Sequence, residues 1–439
     1  MSAPTLVEIE NAFQPAREIN DAERFAGRGV AVQESYLGVV SEGSNIAIVG
    51  NRGIGKTSLA RQIGRIASGD NSLLEKLGIP FHGKLDFLVV YFACGNAVSS
   101  ITDLLERLLT AQNCLGDWIY DIPKAKKEVD ALKPKLGVSA FGLRAGVDGE
   151  MREEAEMEPA IRVHSVDTVF TNVLIALSEQ KVAKHGVLII IDEFDQIRDP
   201  GGFAPMLKSL ATNAPQVKFC IVGVAQDIQN LMKEHKSADR LFAGSVIILP
   251  FMTEGELEEI IDIAEQSING FIRFTPNARA RLVSLAQGHP YMVHLIGKYA
   301  LRSAYQSNRR EIDDHHIDET LKTIAERGAD PILEGRYKKA VGSSMHREIV
   351  LKSLAEIMPT SADGEVWTRN AYKLALDQGV DNSSQYVGQL VTDDYGAEIE
   401  KVRDRYYRFK DSLFAAYVRA RPRLIEGQTT TEQEAMRLL

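Results

Sequence analysis

Five runs of apolar residues stand out along the chain: Asn45 to Val49, Asp86 to Phe92, Val187 to Ile191, Val217 to Val222 and Val246 to Leu249. Several are apolar at every position rather than at every second one, the pattern of parallel strands covered on both faces. Between them, Ser99 to Leu109 and Thr168 to Glu179 carry apolar residues at helical spacing. Strands alternating with helices predict an α/β fold with a parallel five-stranded sheet built by crossovers.

The crossover between the second and third runs is too long for one helix. Gly137, Gly142, Gly146 and Gly149 punctuate short β-favouring pieces there, and an acidic run follows. This predicts a hairpin inserted at about 133–163, a segment that fits either a partner contact or a tolerated surface loop.

Beyond Pro250 the periodicity turns helical, over Glu254 to Gln266, Pro276 to Gln287, Tyr291 to Gln306 and Asp314 to Arg327. From about Met345 the order changes to helices at Arg347 to Ile357, Trp367 to Gln378 and Ser383 to Thr392, a strand-like stretch Glu398 to Phe409, and a helix Ser412 to Arg421. Three helices followed by a hairpin is the order of a winged helix. The tail has little apolar patterning. The expected division is an N-terminal linker (1–43), an α/β core (44–250), a helical lid (251–340), a winged helix (341–425) and a loose tail (426–439).

Composition narrows the setting. A chain of 439 residues, 44% hydrophobic and 25% charged, is expected to fold as a soluble protein of several domains. Neither a membrane-spanning run nor a secretory signal pattern stands in it, so a cytoplasmic protein is expected. Cys94, Cys114 and Cys220 are too scattered for a disulfide framework and read as reduced, buried thiols. The net charge of −9 gives no general attraction to nucleic acid or an anionic membrane.

The candidate chemistry begins after the first strand. Gly50-Asn51-Arg52-Gly53-Ile54-Gly55-Lys56-Thr57, followed by Ser58, fits G-x-x-x-x-G-K-[ST] and leads into a helix. The glycines let backbone N–H groups wrap a phosphate chain. Lys56 supplies charge to the β and γ phosphates, and the Thr57 hydroxyl supplies a ligand for Mg²⁺. The helix that follows adds the positive end of its dipole.

The third strand ends in Asp192-Glu193. There Asp192 is placed to hold the metal through water, and Glu193 to act as general base toward an attacking water. A simple helix cap is the alternative reading of the pair.

With both motifs in place, the chain resembles P-loop ATPases of the AAA+ and STAND type, especially prokaryotic relatives of origin-recognition initiators that end in a winged helix. The resemblance implies ATP and ADP as ligands with Mg²⁺, and slow ATP hydrolysis. It makes Gly27 and Arg28, in R-F-A-G-R, similar to a G-R box near the adenine. Gln226, at the end of the fourth strand, stands at the first sensor, and Arg240 where an arginine finger reaches a neighbouring subunit. Pro290, in Gly288-His289-Pro290, matches the STAND G-x-P box that packs by the nucleotide. The sequence departs from AAA+ in lacking a second-sensor arginine there, which leaves His289 or His294 as substitutes or as core histidines.

Two functions follow. One is a STAND-like switch in which nucleotide controls conformation and self-association or effector binding. The alternative is a DNA-associated initiator- or loader-like ATPase that touches DNA through Lys401, Arg403, Arg405 and Arg408 of the wing. The third helix of the winged helix has no Lys or Arg and runs into Asp393-Asp394, and residues 345–425 hold 12 basic and 12 acidic side chains. That balance lacks the basic excess of a DNA reader.

Overall fold

The computed structural model describes residues 3–95, 97–119, 122–136, 165–223, 242, 244–357 and 364–423. Helix α1 (Leu6–Ala12) opens on a capping box: Glu8 N–H donates to Thr5 Oγ1 at 3.3 Å, and Thr5 N–H donates to Glu8 Oε2 at 2.7 Å. Helix α2 (Gly29–Val40) follows. The segment expected to be a linker is therefore ordered structure. Its apolar residues decide this: Ile9 and Phe13 are fully buried in the lid's core, and Val32 and Val39 are buried against the sheet.

The α/β core runs β1 (Ile46–Val49), α3 (Lys56–Ala67), α4 (Ser72–Lys76), β2 (Phe87–Ala93), α5 (Ile101–Thr110), α6 (Gly116–Ile119), α7 (Pro123–Leu136), α8 (Val166–Glu179), β3 (Gly186–Asp192), α9 (Phe203–Asn213), β4 (Val217–Gly223) and β5 (Val246–Ile248). The strands form one sheet in the order β2-β3-β4-β1-β5, every neighbouring pair parallel. Alternate side chains feed two cores. Ala47, Val49, Ile189, Ile191 and Ile221 face α5 to α9, while Ile46, Ile48, Leu188, Ile190 and Val222 face α2 to α4. Strands β1, β3 and β4 are buried at every position, as their pattern requires, whereas β5, at the sheet edge, exposes Val246 and Ile248. Of the expected hairpin, residues 133–136 complete α7, and the rest lies outside the described residues.

The lid comprises α10 (Glu254–Ser267), β6 (Arg273–Phe274), α11 (Pro276–Ala286), α12 (Pro290–Gln306), β7 (Glu311–Ile312), α13 (Asp314–Arg327) and α14 (Pro331–Val341). The C-terminal part comprises α15 (Met345–Glu356), β8 (Val366–Trp367), α16 (Thr368–Leu376), α17 (Ser383–Leu390), β9 (Ile399–Arg403), β10 (Tyr406–Phe409) and α18 (Ser412–Ala420). Its strands pair antiparallel in the order β8-β10-β9, which makes it a winged helix. The expected tail, 426–439, lies outside the described residues.

One apolar cluster runs without a break from α1 through the lid to α18, joining Ile9, Ile296, Tyr337 and Phe414. A buried polar network pins the same junction. Arg421 Nη2 donates to Glu334 Oε1 at 2.7 Å, Tyr417 donates to Glu334 Oε2 at 2.8 Å, and Tyr337 donates to Glu348 at 2.6 Å. Taking one partner from such a buried pair leaves an uncompensated charge, which costs about 3–5 kcal/mol.

Candidate functional site

The loop Gly50–Gly55 joins β1 to α3 at the carboxyl edge of the sheet, where open α/β sheets bind ligands. Gly53 has φ of +72°, and a Cβ there would lie 2.9 Å from Leu413 Cδ2. Only glycine meets both conditions without strain. The Lys56 ammonium folds back onto its own loop, donating to Gly50 O at 3.0 Å and Asn51 O at 2.9 Å. Burial lowers its pKa, and the charges of Asp195 and Asp192 oppose that shift. An ammonium bonded only to neutral carbonyls is suited to exchange them for phosphate oxygens, the stronger acceptors.

A cavity of about 850 Å³ opens above this loop, a volume of the class that holds small-molecule ligands. Its charged lining includes Arg52, Lys56, Asp192, Glu193 and Asp195, and its apolar lining includes Phe25, Ala26, Met252 and Ile260. The N-terminal segment, the phosphate loop, the end of β3 and the lid all contribute walls, so a nucleotide-sized ligand fits here with apolar and anionic parts both accommodated.

Asp192 is buried at the end of β3. Its Oδ1 accepts the Glu193 N–H at 2.8 Å, and its Oδ2 accepts the Tyr91 hydroxyl at 2.5 Å. Its carboxylate and the Thr57 hydroxyl are oxygen donors of the kind Mg²⁺ takes when water and phosphate complete its shell. Glu193 follows in the left-handed region at φ +55° and begins a 3₁₀ turn over Phe194–Gln196. That conformation is costly for a side chain other than glycine, and Glu193 lines the cavity. Partial burial, then the charges of Asp192 and Asp195, hold the Glu193 carboxyl above its ordinary pKa. The shift is in the direction that suits a proton acceptor working near neutrality.

Asp195 was missed in the sequence. It lines the cavity, and its charge opposes the burial shift of Lys56 more strongly than that of Asp192 does. The signal was present as D-E-F-D, a further carboxylate within the short turn that follows the strand end.

Arg28 of the G-R box lines the cavity beside Phe25 and Ala26, and the box also ties the site together. Arg28 is buried, and its guanidinium donates to Pro250 O at 2.6 Å and to Ile54 O at 3.0 Å. Its backbone N–H donates to Glu256 at 2.6 Å, and that of Gly27 donates to Glu259 at 2.8 Å. Gly27 also has a positive φ of 60°, and a Cβ there would fall 2.5 Å from Glu256 Cγ. The pair clamps the phosphate loop, the chain after β5 and the first turns of α10. Ser58 also lines the cavity, and its hydroxyl accepts the Ile19 N–H at 3.0 Å.

Pro290 lines the cavity, with Cγ 4.0 Å from the position a Cβ on Gly55 would take. His289 is buried edge-on to Phe251, and His294 Nδ1 accepts the Gln14 N–H at 3.3 Å. Burial pushes both rings down to about 4, against Asp411 for His289 and with the help of Arg24 for His294. Both are therefore neutral near pH 7, and of the two His294 lines the cavity. Gln226 and Arg240 lie outside the described residues.

The wing cations are already paired. Arg403 meets Glu365 at 3.0 Å, Arg405 meets Asp404 at 3.7 Å, Lys401 meets Asp404 at 3.9 Å, and Arg408 pairs with Glu400.

The family model described as Novel STAND NTPase 1 matches residues 12–392. No curated protein matches the chain in sequence. Among solved structures it is similar to the Walker-type ATPase PABY2304 of Pyrococcus abyssi, with 16% identity over 92% of this chain and 99% of that one and a TM-score of 0.48. It is also similar to the ORC2 protein of Aeropyrum pernix, solved as ADPNP–ADP complexes, with 13% identity, 95% and 96% coverage and a TM-score of 0.47. Cdc6p from Pyrobaculum aerophilum is similar at 12% identity, 93% and 96% coverage and a TM-score of 0.45.

Proposed function

The chain belongs to the Novel STAND NTPase 1 family, a family of P-loop NTPases, and we propose that it is a slow, Mg²⁺-dependent ATPase whose nucleotide state sets the position of its winged helix. One observation carries the switch: the N-terminus of α18 rests on the phosphate loop. Leu413 packs so closely on Gly53 that a Cβ would collide with it. Asp411, the N-cap of α18, is close enough to His289 of the G-x-P segment to raise that ring's pKa, and Arg336 holds Asp411 at 2.7 Å. A ligand that reshapes the loop must therefore move against the winged helix.

In this reading Lys56 leaves Gly50 and Asn51 for the phosphates, and Thr57 and Asp192 would hold Mg²⁺, which when bound would draw off charge from the phosphate chain. Glu193 takes a proton from water as its oxygen attacks the γ-phosphorus, and ADP leaves with the bond to its β-phosphate oxygen broken. Gln226 and Arg240 serve as sensor and arginine finger. The arms of the switch are the ATPase core (44–250), the lid (251–340) and the winged helix (341–425). Its output is self-association or effector binding in the cytoplasm, a setting that fits the free thiols of Cys94, Cys114 and Cys220.

Light scattering tests this reading. Mass should rise with a slowly hydrolysed ATP analogue but not with ADP, and duplex DNA should leave both values unchanged. Equal masses with the two nucleotides would sink the switch. Salt-sensitive DNA binding lost with Arg403, Arg405 and Arg408 would replace it with the DNA-associated alternative.

A further inference from the structure

Tyr91 lies on β2, two residues before Ala93, the residue in register with Asp192 on β3. Residues two apart share a face of a sheet, so the Tyr91 ring extends along the same face toward the Asp192 carboxylate. Its hydroxyl donates to Asp192 Oδ2 at 2.5 Å.

The other side of the ring is also held. The Arg61 guanidinium lies 3.4 Å from the ring centroid, within cation–π distance. Arg61 Nη2 meets Glu18 at 3.2 Å. Glu18 belongs to the N-terminal strap that walls the nucleotide cavity together with Gln14 and Ile19.

Arg61 is one of four α3 residues that grip this strap. Ser58 accepts the Ile19 N–H at 3.0 Å, Gln62 donates to Ile19 O at 3.0 Å, and Arg65 donates to Asn20 O at 2.8 Å. Positions 58, 61, 62 and 65 lie on one helical face. The helix that carries the phosphate loop therefore fastens the cavity wall on this face.

We propose that Tyr91 is a positioning residue that orients Asp192 toward the metal, and that Arg61 and Glu18 link this orientation to the wall of the nucleotide cavity. The inference rests on the assignment of Asp192 to Mg²⁺. A carboxylate has about four lone-pair directions. Tyr91 and the Glu193 N–H take two from opposite oxygens, which fixes the rotation of the group while leaving lone pairs for a metal-bound water.

The test is the ratio of ADP dissociation constants without and with saturating Mg²⁺, measured by calorimetry and so independent of turnover. Tyr91→Phe removes only the hydroxyl. It should lower the ratio by about 3-fold to 10-fold, below the range for the partner of a direct metal ligand because Asp192 reaches the metal through water, while leaving Mg²⁺-free ADP binding within about 2-fold. Glu18→Gln and Arg61→Gln keep the hydroxyl and should shift the ratio the same way by smaller factors, and they carry the test if the first variant does not fold. A wild-type ratio in the variants overturns the proposal, as does equal weakening of ADP binding with and without Mg²⁺, the mark of a merely structural role. Asp192→Asn separates the two layers. If it collapses the ratio and Tyr91→Phe does not, the relay alone fails. If Asp192→Asn also leaves the ratio unchanged, the assignment of Asp192 to the metal fails with it.

Discussion

The phosphate loop and the wing both present cations, and they dispose of them in opposite ways. Lys56 is bonded to two neutral carbonyls in a cavity wall, with the carboxylates nearby acting only at longer range. Arg403, Arg405, Lys401 and Arg408 each meet a carboxylate, and Arg403 also stacks on Tyr406 at 3.8 Å. An anion that reaches the loop gives the Lys56 ammonium charged acceptors in place of neutral carbonyls. An anion that reaches the wing competes with carboxylates already in place, one of which, Asp404, serves both Lys401 and Arg405. Counting basic residues treats the two alike; what separates them is whether the positive charge is already matched.

The largest test of that contrast is at the loop's catalytic edge. Glu193→Gln should keep nucleotide binding and lower steady-state hydrolysis by about 100-fold to 10,000-fold, the range for loss of a general base. Wild-type turnover would remove Glu193 from its role. Lys56→Ala should weaken ATP binding by about 100-fold, since a hydrogen bond to a charged group contributes about 1.5–3 kcal/mol, and isothermal titration would measure it.

A pH effect follows from the lid wall. His289 and His294 are pushed down to about 4 by burial, whereas an unfolded histidine titrates near 6.5. Between those values the unfolded chain binds more protons, so stability rises with pH there and is flat above it. Acidification from about 6.5 toward 4 should therefore cost on the order of 3 kcal/mol per histidine at most, read as a falling urea midpoint. Replacing both with Gln should flatten that part of the profile.

At the wing the effect should be smallest. Replacing Arg403, Arg405 and Arg408 with Ala should change stability by less than about 1 kcal/mol per pair, because exposed ion pairs contribute little. Fluorescence anisotropy should find no salt-dependent duplex binding to lose. A steep salt slope in the wild type would erase the contrast between the two regions.

Several elements were legible because their signal is local. The strands from β1 to β5 lie within a residue or so of their apolar runs; for β1, β3 and β4 burial on both faces leaves that one-dimensional mark, whereas β5 keeps an apolar run although Val246 and Ile248 are exposed. Others were missed although a local signal existed: Thr5 and Glu8 spell a capping box for α1, and Asp330-Pro331 opens α14. Helix α2 gives less warning. Its N-cap is Arg28 in a left-handed conformation with no side-chain cap, so no starting residue marks it.

By itself the sequence determined the glycine-rich loop, its lysine and threonine, the acidic pair at a strand end, and the alternation of strands and helices. Those features depend on neighbours within a few residues, so they can be read in one dimension. Tertiary structure alone decided that Arg28 clamps the loop to the lid, that α1 belongs to the lid's core, and that Leu413 caps Gly53. It also decided that Tyr91 reaches Asp192, 101 residues away along the chain. Each of these joins distant segments through packing or a matched charge, and a residue's partner across the fold leaves no periodic trace in its own stretch of sequence.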